Sequence, residues 1–258
     1  MRIIDTHAHL NDERLYSSVS DIVSNMESDG LSKIINVGYC QQSSETSVKL
    51  ANTYKSIYCS VGIHPHDASN AHTSNYDYFS SVATNPKLVA IGEIGLDYYY
   101  NHSERAVQKR VFVEQLELAS ALKLPVIIHL RDAFEDMLKL LKTNLHYLNN
   151  GLVLHCFSGD SDMVHQFLNI YPVYFSVGGA ITFKNNLDKK DVLSHIPIDS
   201  LLLETDCPYM TPVPFRGTTN YPKYINFVAS KLQEWFPERN IISETNANAL
   251  RLFTKLNN

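Results

Sequence analysis

The chain contains no paired cysteines. Cys40, Cys59, Cys156 and Cys207 lie far apart in 258 residues, with no CxxC spacing. That argues against a cysteine zinc site and for reduced thiols, so a cytoplasmic protein is expected. Nor does any stretch approach the ~20 apolar residues of a membrane span. The first apolar run is only Ile3-Ile4 before Asp5, too short for a signal-peptide core. Pro/Gly-rich linkers and low-complexity segments are missing, so residues 1–258 are expected to form a single domain. No GxGxxG turn follows the first apolar run, which disfavours a doubly wound dinucleotide-binding sheet. A basic excess is missing too. The net charge of −5 excludes a general electrostatic sponge for nucleic acid, so any polyanionic substrate must be gripped locally.

What is present is a well-patterned globular chain. Apolar residues make up 44% and charged residues 19%, enough for a substantial core. Apolar runs that read as buried parallel strands occur at 3–7, 33–38, 57–63, 88–94, 125–130, 151–157, 173–178 and 200–206. Helix-like segments fall between them. The clearest is 106–122, where Val107, Val111, Leu118 and Leu122 roughly follow helical spacing. Others lie near 15–29, 43–54, 76–84, 133–147, 161–170, 187–195 and 221–236, with a last helix at 243–256. Eight β units, each followed by a helix, predict a TIM (β/α)8 barrel. The Pro-rich stretch 208–214 then reads as an ordered loop at the barrel mouth.

Eleven histidines are a high count, and several end the apolar runs. The first run closes with His7-Ala8-His9, whose imidazoles would share a face of a strand. The fourth carries Glu93, the fifth ends at His129, the sixth at His155 and the eighth at Asp206. In a barrel these positions meet at the mouth. Carboxylates buried there are costly unless paired or coordinated. The set suits two divalent ions (Zn, Mg or Mn), since imidazole favours transition ions and carboxylates can bridge. His7, His9 and Asp206 would hold one ion and His129 with His155 the other, bridged by Glu93. Two ions about 3.5–4 Å apart can activate one water, with Asp206 the candidate general base.

Taken together, DTHAHL, VGIHPHDA, AIGEIGLDYY, PVIIHLRDA, LHCFSGD, LLLETDCPYMTP and RGTTNYP resemble the TatD-type metal-dependent hydrolases, a branch of the amidohydrolase superfamily of TIM barrels. The motifs span residues 5–222 in the family's order. The resemblance implies a metal-dependent deoxyribonuclease with 3′-to-5′ exonuclease action on single-stranded DNA ends. It also implies His7, His9, Glu93, His129, His155 and Asp206 as metal ligands. Where the wider superfamily often bridges its metals with a carbamylated lysine, Glu93 stands instead.

Neighbouring residues carry further expectations. Glu204 either orients a ligand histidine or pairs with an interior cation. His64, Arg131 and Arg216 are candidates for binding a substrate phosphate, and His66 less so. Tyr98, Tyr99 and Tyr100 either stack on unpaired bases or pack as a lid. Cys156 and Cys207 are expected to pack toward the helices. Two other functions remain compatible with the same residues. One is a small-molecule ester or amide hydrolase, and the other is a metal-dependent binding module without catalysis.

Overall fold

Short runs of β-branched and aliphatic residues, each buried on both faces, form parallel strands only where helices cover the sheet. The computed structural model of the chain describes residues 1–100, 102–170, 172–184 and 188–257. Its strands are β1 (Ile3–Ala8), β2 (Leu31–Val37), β3 (Ile57–Val61), β4 (Leu88–Asp97), β5 (Val126–Arg131), β6 (Leu152–Leu154), β7 (Val173–Val177) and β8 (Leu201–Leu203). All eight pair in parallel and in chain order. Beyond β8 the chain returns to β1. Ala8 bridges Cys207, His9 N–H donates to the Cys207 carbonyl, and Asp206 N–H donates to the His7 carbonyl. The sheet is a TIM (β/α)8 barrel, as the alternation of runs predicts.

Two apolar clusters divide the strand residues by parity. One takes Ile4, Ile35, Tyr58, Ala90, Ile127, Val153, Tyr174 and Leu202, so every strand contributes to it. Such a cluster can only be the barrel interior. It is floored by Ala249 and Leu252 of the last helix, with Phe253 and Leu256 just beyond. The other cluster holds the alternate residues, among them Ile3, Ile34, Ile57, Ile128 and Leu203, packed under the outer helices. The floor of the barrel is therefore mainly apolar, with Lys33 bonded to the Tyr58 hydroxyl and the Leu256 carbonyl, and the histidines and carboxylates gather at the opposite end.

The helices are α1 (Glu13–Tyr16), α2 (Val19–Asn25), α3 (Gln41–Thr53), α4 (Thr73–Ser81), α5 (Arg105–Leu122), α6 (Phe134–Thr143), α7 (Ser161–Leu168), α8 (Lys189–Ser194), α9 (Ile225–Trp235) and α10 (Ile241–Leu252). Differences from the sequence reading are local. The helix expected at 15–29 is broken into α1 and α2 around Ser17 and Ser18. The helix expected from 221 begins at Ile225, after a 3-10 turn opened by Pro222. Leu187, the first residue of the helix expected at 187–195, lies outside the described residues. β6 and β8 are only three residues long, where runs of seven residues were expected. Both runs leave the ladder because Cys156 (φ 46°) and Asp206 (φ 55°) adopt left-handed backbone, which an extended strand cannot contain. Among the described residues, no helix is long and apolar enough to cross a membrane.

One glycine sets the approach of β4 to β5. Gly95 has φ +148°, and a Cβ there would lie 2.0 Å from the His129 carbonyl oxygen. Backbone on both sides leaves no flexible group to yield. Gly95→Ala is expected to cost about 3 kcal/mol, read as a fall in Tm of roughly 10 °C. An unchanged melting curve would mean that the two strands are free to separate.

Candidate metal centre

At the mouth, Glu93 is buried and its two oxygens face different partners. Oε1 lies 2.7 Å from His155 Nε2, 2.9 Å from His129 Nδ1 and 3.7 Å from His64 Nε2. Oε2 lies 3.6 Å from His7 Nε2 and 3.7 Å from His9 Nε2. Asp206 stands across from it, with Oδ1 at 3.7 Å from His7 Nε2 and 3.5 Å from His9 Nε2. The six residues singled out at the ends of the sequence runs thus meet in one place, although they span two hundred positions.

Different backbone devices aim them. His129 and His155 follow the inward parity of Ile127 and Val153 on β5 and β6. Glu204 and Asp206 continue the parity of Leu202 beyond β8. His7 and Glu93 do not. Each lies three residues after an interior residue, Ile4 and Ala90, and register shifts in β1 and β4 occur at these points. The shift is what turns both side chains inward.

The donor set suits a cation. His7 Nε2 and His9 Nε2 approach to 3.1 Å, and His129 Nδ1 and His155 Nε2 to 3.2 Å. Nitrogen lone pairs repel at that range unless a proton or a metal ion is shared between them. His7, His9 and Asp206 offer three ligand atoms within 4.8 Å of one another, as do His64, Glu93 and His129. His7, His155 and Glu204 form a third such group. His64 was read from sequence as a substrate contact, and the fold brings it against Glu93 among the candidate ligands. His9 is oriented by Nδ1, 3.1 Å from the Val37 carbonyl, which leaves Nε2 free to face the centre.

Charge is balanced by the cluster itself. Burial opposes ionisation of Glu93, yet the charges of His155 and His64 and the bonds from His129 and His155 hold its pKa well below the usual range. Burial also opposes the charge on Asp206, and the bond from His9 with the charge of His155 keeps its pKa low. The imidazoles respond in turn. Burial would lower His9, His129 and His155, but their carboxylate neighbours raise all three above the ordinary value. Burial dominates at His64 and His7, which are lowered.

Two carboxylates support the cluster from behind. Glu204 is fully buried, and its Oε1 accepts the Cys156 N–H at 2.6 Å and lies 3.8 Å from His155 Nδ1. Its Oε2 accepts the Ser176 hydroxyl. Asp97, to which sequence reasoning assigned no role, sits 2.9 Å from His129 Nε2 and 3.1 Å from His66 Nε2. Its other oxygen accepts the N–H groups of Tyr99 and Tyr100. The signal in the sequence was its position, four residues past Glu93 at the very end of β4.

The centre opens into a cavity of about 460 Å³, walled by Tyr39, Tyr100, Arg131, Tyr209 and Met210 among others. The last two come from the Pro-rich stretch, which is therefore part of the mouth as expected. Arg131 reaches this cavity, whereas Arg216 lies exposed with its guanidinium over the Phe183 ring and is not part of the wall. Cys207 is fully buried, while Cys156 is partly exposed, and burial pushes both thiols well above their ordinary pKa. Neither is poised as a nucleophile.

Comparison with known proteins agrees with this geometry. The family model described as TatD related DNase matches residues 4–254. The chain belongs to this family. A metal-dependent hydrolase of Bacillus subtilis, YabD, is 38% identical over 97% of this chain and 98% of its own length. The 3′-5′ ssDNA/RNA exonuclease TatD of Escherichia coli K12 is 32% identical, with 97% and 98% covered. The crystal structure of the TatD homologue YJJV of Escherichia coli K12 superposes with a TM-score of 0.91 at 29% identity, covering 98% of both chains. This TatD-family chain is a metal-dependent hydrolase of a nuclease family, with histidine, glutamate and aspartate groups able to bind metal.

The carboxylates favour the protonated forms of His9, His129 and His155, so a cation entering this TatD-family centre competes with protons for the same nitrogens. Binding of Mn²⁺ or Zn²⁺ is expected to release about one proton or more near neutral pH and to weaken as pH falls. Calorimetry in two buffers of different ionisation enthalpy measures this, and an enthalpy independent of buffer would contradict it. Asp97→Asn is expected to lower metal affinity roughly 10–100-fold with the circular dichroism spectrum kept. Wild-type affinity in that variant would show that His129 does not need the carboxylate behind it.

Proposed function

We propose that the protein hydrolyses phosphodiester bonds at the 3′ ends of single nucleic-acid strands, using two divalent cations. The observation that carries this reading is the split environment of Glu93. One oxygen faces His7 and His9, and the other faces His129 and His155. His7, His9 and Asp206 would hold one cation and His129 with His155 the other, with Glu93 between the two groups. Bound there, the pair supplies Lewis acidity, which acidifies a water and offsets charge developing on the phosphate. Imidazole donors favour Zn²⁺ by affinity, while Mg²⁺ or Mn²⁺ prevail where they are more abundant.

The chain's own residues supply the rest. Asp206 is kept ionised by its histidine neighbours and lines the cavity, so it can accept the proton of the attacking water. His64 and Arg131 line the same cavity and contact the substrate phosphate. Arg216 reaches substrate only if its loop shifts from Phe183. Glu204 keeps His155 in place from below. The net charge of −5 disfavours broad gripping of a duplex and suits insertion of one strand end into the mouth. The activity printed for the Escherichia coli relative, on single-stranded DNA and RNA from the 3′ end, supports this direction.

Oligonucleotides labelled at either end test the reading with Mg²⁺, Mn²⁺ or Zn²⁺ added. Stepwise shortening from the 3′ end is expected. Turnover of an ester or amide panel without any loss of nucleotides would assign a small-molecule hydrolase instead, and binding of oligonucleotides with no turnover at all a binding module. Asp206→Asn is expected to keep the fold and lose about 10²-fold or more in kcat. Glu93→Ala is expected to lose metal and activity together, read by metal content after dialysis. Near-normal turnover by Asp206→Asn would remove that residue from the role of base.

A further inference from the structure

Tyr99 and Tyr100 are 58% and 44% exposed, although they lie only two and three residues beyond a buried strand. The two rings meet edge to face, with centroids 4.7 Å apart at 83°, so they share no common face. The Arg131 guanidinium lies over both rings, 3.8 Å from the Tyr99 centroid and 5.0 Å from that of Tyr100. Behind Tyr100, His102 stacks at 5.6 Å and 17°. Among the described residues, no carboxylate pairs with Arg131, so its charge is available at the cavity wall.

The same cluster is anchored to the metal centre. Asp97 Oδ1 accepts the N–H groups of Tyr99 at 3.0 Å and Tyr100 at 2.9 Å, while its Oδ2 lies 2.9 Å from His129 Nε2. One buried carboxylate thus sets the tyrosines and a candidate ligand in a fixed relation. A second cavity, of about 610 Å³, meets the centre on the other side at His155. Its charged lining is mostly acidic, with Asp132, Glu135 and Asp136 against Arg105.

We propose that Tyr99, held edge-on to Tyr100 and flanked by Arg131, forms a stacking platform for an unpaired base of the strand adjoining the cleaved phosphate. The inference rests on the nuclease reading above and adds to it the surface that distinguishes a single strand from other phosphodiesters. Bases offer a π-face whatever their identity, so the platform is tolerant of sequence. A paired base cannot leave its stack without cost, so the platform selects single strands. Arg131 adds a cation to the stack and a bidentate donor to the neighbouring phosphate.

The test compares two substrates in the same metal buffer. One is a single-stranded oligonucleotide and the other is methyl p-nitrophenyl phosphate, a diester without bases. For the variant Tyr99→Ala, KM for the oligonucleotide is expected to rise roughly tenfold. Kinetics on the small diester and metal content should stay at wild-type values, and Tyr99→Phe should retain tight oligonucleotide binding. An oligonucleotide made abasic next to its 3′ end should raise KM for the wild-type protein by a similar factor, whatever the fold of the variants. An oligonucleotide KM within twofold of wild type in the alanine variant, or equal losses on both substrates, overturns the platform while leaving the nuclease reading intact. A wild-type protein that cleaves the diester but no oligonucleotide overturns both.

Discussion

The mouth of this barrel is organised around a carboxylate that cannot be buried alone. Glu93 is 4% exposed and is held among the rings of His7, His9, His64, His129 and His155. An ionised group so placed needs close opposite charge, from protons on the imidazoles or from cations. Every other feature of the site serves that requirement. Asp206 balances the histidines on one side, and Asp97 and Glu204 stand behind those on the other. The centre is thus an electrostatic system in which protons or cations would offset the same buried negative charge.

The backbone is bent to serve it. β1 and β4 change register so that His7 and Glu93 turn inward, and Cys156 and Asp206 take left-handed conformations where β6 and β8 end. Gly95 allows β4 to lie against the His129 carbonyl. These devices lie at the open end of the barrel, whereas its floor is a mainly apolar plug made with α10. Stability and chemistry are therefore assigned to opposite ends, a division characteristic of barrels of this type. Membership of the TatD-related DNase family gives the arrangement its chemical setting.

Much of this was legible in the chain. Eight apolar runs alternating with amphipathic segments specify the barrel, because a parallel sheet must be covered on its outer face. The ligand candidates on β5, β6 and after β8 follow from simple alternation, since Ile127 and His129, Val153 and His155, and Leu202 and Asp206 share a parity. His7 and Glu93 were found only because a histidine or carboxylate at the end of an apolar run is conspicuous. Alternation from Ile4 or Ala90 would have pointed both of them outward. Asp97 was passed over because its partners, His129 and His66, lie tens of residues away and share no local pattern with it. Arg216 was placed near substrate by its loop alone, and packing on Phe183 takes it elsewhere.

The barrel and the residue types of its six candidate ligands were determined by the sequence itself. They depend on hydrophobic period and residue type, which are local and repeat along the chain. Tertiary structure alone decided which oxygen of Glu93 faces which histidines, that Asp97 joins a candidate ligand to two tyrosines, and which arginine reaches the cavity. Those outcomes depend on register shifts and on contacts between distant loops, for which no periodic signal exists.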